Sequence, residues 1–292
     1  MGFFVGIPSY NRGRIFGYCL KSFTKSGMIK GFILIIDASS NREREFYVQS
    51  LKELIDRGFE VIYDINIGKR GSAKARNMVL EYAKYNLKKD DVLVLYDDDY
   101  IYPGDHSLLP AFHWLKDPSI GVVGGRVINI RRRPIDPDFA LNIYNLADNL
   151  TKITGFIFLD NTHGPRYVDY TTPLMALKAK ILDKEVRYDE NYGGIGYREE
   201  SDLQMQIRKL GYKIIFDPRF YAYHLAIESG GNRYSDLENR VFWKWVSHTY
   251  FMNKWCYPFH KKVLSYMILT IYALINGPLA IKGVLKANRI IK

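Results

Sequence analysis

The first hundred residues alternate short apolar runs with segments of helical periodicity, and this alternation restricts the fold more than any other feature. The runs are FFVGIP, FILIID, FEVIYD and VLVLY, and helices are predicted between them near 15–26, 44–57 and 72–86. Uninterrupted apolar runs are typical of parallel strands buried on both faces. Because strands and helices alternate, we predict an α/β fold with a Rossmann-like, doubly wound mixed sheet.

The pattern changes twice further along the chain. From Gly121 it predicts shorter mixed strands around a loop-rich region, then a helix over 199–209 and a strand in YKIIFD. After residue 235 the composition becomes basic and aromatic. We therefore divide the chain into a main domain, residues 1–235, with halves 1–120 and 121–235, and a helical C-terminal extension, residues 236–292.

Three consecutive aspartates, Asp97, Asp98 and Asp99, follow directly on the fourth apolar run. Two carboxylates about 4 Å apart near a surface repel by about 4 kcal/mol at a dielectric of 20, so something must offset them. A divalent cation is the usual offset. Asp97 and Asp99 point to the same side of a strand end and could hold Mg²⁺ or Mn²⁺, which prefer oxygen ligands and share their shell with phosphates. The alternative is a solvated acidic turn.

Two further segments follow strands and therefore belong at the same sheet edge. Asp37 ends the second run, where its carboxylate could accept hydrogen bonds from a base or ribose hydroxyl, or could cap the next helix. In NIGKRGSAKARNM, Gly68 and Gly71 precede a predicted helix start among basic residues, a setting suited to an anion at a helix N-terminus. The spacing does not match a Walker A loop.

A second acidic centre lies in YDENYGGIGYREESDLQMQ, where a glycine-rich stretch leads to Glu199 and Glu200 in the first turn of a predicted helix. One of them could be a general base, or both could be ordinary acidic residues at a helix start. His224, in an aromatic run after a late strand, could complete a metal shell or could be a core histidine.

Taken in order, these pieces resemble the family 2 glycosyltransferases, which have the GT-A fold. The resemblance covers roughly residues 3–230 and rests on VGIPSYNR, Asp37, GSAKARN, YDDD and GYREESDLQMQIRKLGY. It implies an inverting transfer of a sugar from a nucleotide-sugar donor, a UDP- or GDP-sugar, to a hydroxyl of a glycan, lipid-linked or protein-linked acceptor. It also implies that residues 1–120 bind the donor and 121–235 the acceptor, through loops between Gly125 and Asp169.

The same resemblance assigns roles to individual residues. A divalent metal, Mn²⁺ or Mg²⁺, is expected to be held by Asp97, Asp99 and His224. Glu199 and Glu200 match the family's Glu-Asp pair, so Glu200 is the expected catalytic base; Glu199 remains an alternative, because glutamate replaces aspartate here and shifts the carboxylate by about 1 Å. The donor is expected to contact Pro8, Tyr10, Asn11, Asp37, Gly71, Arg76 and Asp98.

The C-terminal extension carries most of the net charge of +11, because no acidic residue follows Glu238 whereas nine lysines and arginines do. Three of the four tryptophans precede an uncharged run over residues 263–281. We predict a helix lying on the inner face of a membrane, attracted by anionic lipid. The alternative is a helical subdomain that packs its aromatic residues on the main domain.

Composition and rival motifs exclude several other classes. Only Cys19 and Cys256 are present, which excludes a disulfide framework and a zinc ribbon, and the N-terminus lacks a signal-peptide pattern, so a cytoplasmic location is expected. A sugar-nucleotide-forming nucleotidyltransferase is the rival enzyme, but it carries a glycine-rich loop where PSYNRGRIF stands. A non-enzymatic lipid or nucleic-acid binding protein would leave both acidic centres unexplained, so we expect no nucleic-acid partner.

Overall fold

The structure, a computed structural model, describes residues 1–130, 164–225 and 236–290. The described strands are, in chain order, β1 (Phe3–Tyr10), β2 (Ile29–Ala38), β3 (Glu60–Ile67), β4 (Val92–Leu95), β5 (Tyr100–Ile101), β6 (Ile120–Asn129), β7 (Arg166–Val168), β8 (Met175–Lys178) and β9 (Lys213–His224). The described α-helices are α1 (Gly13–Ser22), α2 (Asn41–Asp56), α3 (Ser72–Asn86), α4 (Leu109–Trp114), α5 (Glu199–Lys209), α6 (Leu237–Lys254), α7 (Phe259–Ile275) and α8 (Pro278–Ile290). Most of the loop region predicted to bind the acceptor, residues 131–163, lies outside the described residues.

The strands form one mixed sheet with the order β3-β2-β1-β4-β8-β6-β9-β5, and β7 pairs with β9. Strands β3, β2, β1 and β4 run parallel, β8 is antiparallel to both β4 and β6, and β6 is parallel to β9. The predicted α/β fold with a mixed sheet is confirmed. Because β1 to β4 are parallel, their carboxyl ends meet at one edge, to which the four polar segments following them are brought.

Both faces of the sheet are buried, which explains why the strands read as uninterrupted apolar runs. Along β2, Phe32 and Leu34 pack on the side covered by α1 and α2, whereas Ile33 and Ile35 pack on the side covered by α3 and α5. Alternate residues of β2 therefore belong to two different core clusters, one on each face of the sheet. This arrangement is the doubly wound layering that the sequence predicts.

Two helix boundaries differ from the prediction for local polar reasons. Helix α1 ends at Ser22 instead of residue 26, because the Ser26 hydroxyl accepts hydrogen bonds from the backbone N–H groups of Met28 and Ile29, at 3.2 and 3.1 Å, in the turn into β2. Helix α2 begins at Asn41 instead of residue 44, because the Ser40 hydroxyl caps it by accepting from the Glu43 N–H. Ser40, and not Asp37, is thus the cap of α2.

Strand β9 is longer than the prediction from YKIIFD, because the aromatic run after it belongs to the same strand. Its pairing with β6 shifts register between Gly124 and Arg126, which absorbs the extra residues near Pro218. Beyond this shift the strand continues to His224, which pairs with Tyr100 of β5. The continuation places His224 beside the aspartate trio.

The C-terminal extension forms a layer of three helices with an apolar cluster of its own. Within it, Trp245 is buried and stacks on Tyr266 with ring centroids 5.3 Å apart. Helices α6 and α8 cross closely at Gly283, where a Cβ atom would lie 2.4 Å from the carbonyl oxygen of Glu238. Within the described residues, no helix combines the length and the apolar character that crossing a bilayer requires.

Helix α6 also packs against the main domain. The Phe251 ring contacts Tyr170 edge to face at 5.5 Å, and Trp243 covers Gly193 and Gly194, where any Cβ atom would lie within 2.4 Å of the indole. The aromatic residues of α6 therefore face the protein, as the packing alternative requires. Membrane contact through the other two helices stays a prediction.

Candidate active site

A cleft of about 220 Å³ opens at the carboxyl ends of β1, β2 and β4. The amino ends of α3 and α5 close its other side, so residues far apart in sequence meet there. It is lined by Pro8, Ser9, Tyr10, Arg12, Asp37, Lys69, Gly71, Ser72, Ala75, Arg76, Asp97, Asp98, Asp99, Ile195, Glu199 and Glu200. Five of these side chains are carboxylates of the two acidic centres.

A buried arginine that sequence reasoning did not single out neutralises part of the aspartate trio. The Arg12 guanidinium lies 2.7 Å from Asp98 and 3.2 Å from Asp99. The Ser9 hydroxyl donates to Asp98 at 2.7 Å, and Tyr47 accepts from the Arg12 backbone N–H. Burial raises the pKa of Asp98 to about 6, although the charge of Arg12 opposes the rise. Arg12 therefore supplies part of the offset that the sequence analysis assigns to a divalent cation.

The three aspartates point in different directions. Asp99 is buried, and its Oδ2 atom lies 3.3 Å from Nε2 of His224. The Asp97 side chain is 31% exposed and pairs with Arg76 at 2.9 Å. Asp99 and Asp97 thus turn toward different partners.

Arg76 joins the two acidic centres. Its guanidinium contacts Asp97 at the end of β4, Glu199, and Glu200 at 2.8 Å in the first turn of α5. The Ser72 hydroxyl donates to Glu199 at 3.3 Å. One side chain of α3 therefore sets the position of α5 relative to the strand edge.

Burial also determines the protonation of the glutamate pair. The Glu199 side chain is fully buried, and burial raises its pKa to about 8 against the opposing charge of Arg76. Burial raises the pKa of Glu200 as well, with Arg76 again opposing. Only Glu200 keeps an exposed fraction, 17% of its side chain. The pair can thus hold a proton near neutral pH, and Glu200 is its accessible member.

The start of α5 depends on two unusual backbone positions. Gly196 has φ +67°, and a Cβ atom there would lie 2.6 Å from the Glu199 carboxylate. Arg198, the residue before the helix, adopts a left-handed conformation with φ +79°. Its buried guanidinium lies against the rings of Tyr170 and Phe251. The glycine at position 196 therefore leaves space for the buried Glu199 carboxylate. This is a more specific role than general flexibility of the glycine-rich stretch.

The far end of α6 holds the same turn of α5 from the other side. Asp202 is fully buried and accepts from Nζ of Lys254 at 2.9 Å and from Nε1 of Trp255 at 2.8 Å. Lys254 also pairs with Asp189 at 2.6 Å. The C-terminal extension thus contributes directly to the position of the acidic pair.

At the other end of the cleft, Asp37 is buried at the end of β2 and accepts from the Arg70 backbone N–H at 2.7 Å. Burial raises its pKa, with the Arg70 contacts opposing. Lys69 lies over the Tyr10 ring, 5.1 Å from its centroid. Gly71, with φ +100°, precedes α3 in a conformation that favours glycine. This end presents an aromatic face, a carboxylate and basic groups.

The structure brings most of the predicted site residues together. Asn11 and His224 do not line the cleft: the Asn11 carboxamide accepts from the Ser39 N–H at 2.7 Å, and His224 contacts Asp99 from behind. Sequence reasoning missed Ser9 and Arg12, as well as Ser72 and Ile195. The signal for Arg12 was indirect: five clustered carboxylates require cations and this arginine lies two residues after β1, but the sequence does not show which cation reaches them.

The fit of a divalent metal follows from charge and donor chemistry. Six carboxyl groups line the cleft against three cations, Arg12, Lys69 and Arg76, so an excess of negative charge remains even with the Glu199 carboxyl protonated. Within the described part of the chain, no group of three or more His, Cys, Asp or Glu side chains could hold a metal ion. The residues therefore fit a metal that completes its shell with substrate phosphates and water, as Mg²⁺ commonly does, and not a metal held by protein alone.

Comparisons with known proteins bear on the family and the fold. The family model described as Glycosyl transferase family 2 matches residues 4–182. No curated protein matches the sequence. Solved structures of glycosyltransferases with the GT-A fold are similar to this chain at identities that show a shared fold.

Three of these structures illustrate the similarity. The mannosyltransferase PcManGT from Pyrobaculum calidifontis, in complex with GDP-Man and Mn²⁺, has a TM-score of 0.60 at 16% identity, covering 98% of this chain and 75% of that one. S. aureus TarS 1–349 has a TM-score of 0.53 at 15% identity, covering 77% and 60%. GalNAc-T7 with UDP, GalNAc and Mn²⁺ has a TM-score of 0.54 at 17% identity, covering 86% and 50%. This chain thus spans 60% of the TarS fragment and half of the GalNAc-T7 chain.

The raised pKa of Glu199 predicts a pH-dependent contribution to stability. The folded state keeps this proton up to about pH 8, whereas the unfolded chain releases it near the ordinary value of 4.5, so its stabilisation is complete at low pH and is lost as the pH rises. In Glu199→Gln, the melting temperature relative to the wild type should rise by about 2 °C or more between about pH 5 and pH 8. Glu45→Gln, on exposed α2 surface, is the control. If the melting-temperature difference between Glu199→Gln and the wild type stays constant across this pH range, the raised pKa of Glu199 is contradicted.

The contact of Trp255 with Asp202 predicts local control of α5. Trp255→Phe keeps an aromatic ring but removes the N–H donor and part of the indole, which should lower the free energy of unfolding by about 1–3 kcal/mol. It should also speed amide hydrogen exchange in the first turn of α5. Trp114→Phe is the matched control, because Trp114 donates an equivalent 2.9 Å bond to buried Asp217 away from the cleft. Equal exchange in α5 for both variants would show that Trp255 has no local effect there.

Proposed function

The chain belongs to glycosyl transferase family 2 and has the GT-A fold, and we propose that it transfers a sugar from a nucleotide-sugar donor to an acceptor hydroxyl with inversion. The observation that carries the proposal is the cleft in which Arg76 joins Asp97 to Glu199 and Glu200. Arg76 thereby fixes two carboxylates on either side of its guanidinium: Asp97, which is suited to hold a metal, and Glu200, which is suited to accept a proton.

The donor nucleotide is assigned to the end of the cleft that contains Asp37 and Tyr10. The Asp37 carboxylate can accept from a base or ribose hydroxyl, and Lys69 and Arg70 lie next to it. The backbone at Gly71, ahead of α3, adds N–H groups suited to phosphate. A UDP- or GDP-sugar fits this chemistry; PcManGT is complexed with GDP-Man and GalNAc-T7 with UDP.

The metal is assigned to the aspartate trio. Asp97 and Asp99, which line the cleft, would hold Mn²⁺ or Mg²⁺ together with the donor diphosphate. His224, expected from the sequence as a third ligand, lies behind Asp99 with its Nε2 atom 3.3 Å from the carboxylate and would orient it. When bound, the ion neutralises the negative charge that grows on the leaving diphosphate. Arg12 pairs with Asp98 and Asp99 and carries part of the local charge.

The proton of the acceptor hydroxyl is assigned to Glu200. Glu200 is the exposed member of the pair, whereas Glu199 is fully buried between Arg76 and Ser72. As the acceptor oxygen bonds to the anomeric carbon, its proton passes to Glu200, and the bond to the donor phosphate oxygen breaks on the opposite face of the sugar. A raised pKa suits a base that works near neutral pH. Glu199 positions Arg76 in this account.

The acceptor and the location are assigned from the composition and packing of the extension. We assign the acceptor to a glycan or lipid-linked hydroxyl and the protein to the cytoplasm at the inner face of a membrane. The support is the basic composition after Glu238 and the contact of α6 with the catalytic turn of α5.

The donor assignment predicts a metal-dependent thermal shift. A ligand that binds only the native state raises the melting temperature, so among UDP-, GDP- and dTDP-sugars one class should stabilise the protein more with Mn²⁺ than without it. Asp99→Asn should remove the Mn²⁺-dependent part of the shift. Asp183→Asn, at an exposed aspartate paired with Lys89, is the control. If none of the donors shifts the melting temperature with Mn²⁺, the donor assignment fails.

The base assignment predicts a separation of turnover from binding. Glu200→Gln should lower kcat by about 10²–10⁴-fold and leave the donor-induced thermal shift intact, because the amide keeps the shape but cannot accept the proton. Glu199→Gln should lower kcat less and weaken donor binding, through the changed contact with Arg76. Wild-type kcat in Glu200→Gln would refute the role of Glu200.

A further inference from the structure

The outer face of α7 is apolar although it is exposed. This outer face consists of Val263, Met267, Ile271, Leu274 and Ile275, whose exposed fractions are 39, 54, 51, 59 and 80%. The sequence contains no charged residue from Val263 to Ile281. A surface helix of a soluble protein normally carries charged residues on the face away from the core.

The inner face of the same helix is already occupied. Ser265, Leu269 and Ala273 are buried against the neighbouring helices, with Leu269 and Ala273 in the apolar cluster of the extension. The outer face therefore cannot turn inward without exposing this cluster. It is a second apolar surface, fixed toward the outside of the extension.

The charged residues of α7 and α8 are all basic. Lys261 and Lys262 lie in the first turn of α7, and Lys282, Lys286 and Arg289 are exposed along α8. Leu285 and Ile290, which neighbour Lys286 and Arg289 in the sequence, are exposed as well. No acidic residue follows Glu238 in the sequence. A surface that combines an apolar stripe with unbalanced positive charge is complementary to anionic lipid.

We propose that the outer face of α7 docks on an anionic bilayer, with α7 lying flat in the headgroup region and the basic residues of α8 beside it. A helix of 17 residues is about 25 Å long, shorter than the hydrocarbon core, which favours lying on the membrane over crossing it. This proposal deepens the proposed location by naming the surface and the lipid chemistry.

The docked surface lies close to the catalytic turn. Lys244 of α6 lies 4.6 Å from the ring centroid of Tyr272 in α7 and 5.4 Å from that of Tyr197. Tyr197 precedes Arg198, which leads into the glutamate pair. One lysine side chain thus separates the docking helix from the loop that leads to Glu199. This proximity favours a lipid-linked acceptor over a soluble glycan, a consequence that rests on the proposed function.

Flotation of the full chain with vesicles tests the docking surface. The chain should float with vesicles of phosphatidylcholine mixed with phosphatidylglycerol, float less at high salt, and not float with phosphatidylcholine alone. The double variant Ile271→Glu with Ile275→Glu should reduce binding about tenfold or more, because two apolar side chains lose their lipid contact. Val48→Glu with Ile55→Glu, at exposed positions of α2, should bind like the wild type.

Three outcomes would overturn the proposal: no flotation of the wild type, equal flotation of the α7 variant, or a wild-type dimer in vesicle-free buffer that the α7 variant splits. The last would assign the surface to a second copy of the chain. The donor-induced thermal shift of the α7 variant is measured in parallel and should be unchanged. If neither the wild type nor the variants show a donor-induced thermal shift, the proposed function is refuted, but the vesicle result still stands.

Discussion

Five carboxylates meet at one edge of the sheet, and the rest of the site depends on how their repulsion is balanced. Arg12 balances Asp98 and Asp99 from the end of β1, and Arg76 balances Asp97 and the glutamate pair from α3. Because each guanidinium is shared between carboxylates, neither can move alone. Burial raises the pKa of Asp98 and of both glutamates, and the two guanidiniums offset this rise only in part, so the balance is incomplete.

This incomplete balance connects the architecture to the chemistry. The parallel strands place the aspartates beside the amino ends of α3 and α5. Gly196 and Arg198 adopt left-handed backbone conformations before α5 and turn the glutamate pair toward the aspartates. The remaining negative charge suits a divalent cation that also binds a diphosphate. The extension belongs to the same system, because Lys254 and Trp255 hold Asp202 one turn from the pair. Membrane docking through α7 would therefore act close to the site.

Most of the fold could be predicted from the sequence, because parallel strands buried on both faces leave a strong apolar pattern and their polar ends must meet at one edge. The start of α2 and the full length of β9 could not, since they depend on the Ser40 cap and on a register shift in the pairing with β6. Charge counting pointed to a metal but overlooked Arg12, because nothing local in the sequence shows which cation reaches a buried carboxylate. The packing of the α6 tryptophans depends on contacts with Gly193 and Gly194, which no periodicity reveals.

The most direct test of the central claim is anomalous scattering at the manganese edge from crystals grown with Mn²⁺ and the donor nucleotide that stabilises the protein. The account predicts one manganese peak in the cleft, between the Asp99 carboxylate and the nucleotide diphosphate, with Arg76 still bound to the glutamate pair. A nucleotide bound elsewhere, or a cleft that contains the nucleotide without manganese, would contradict it.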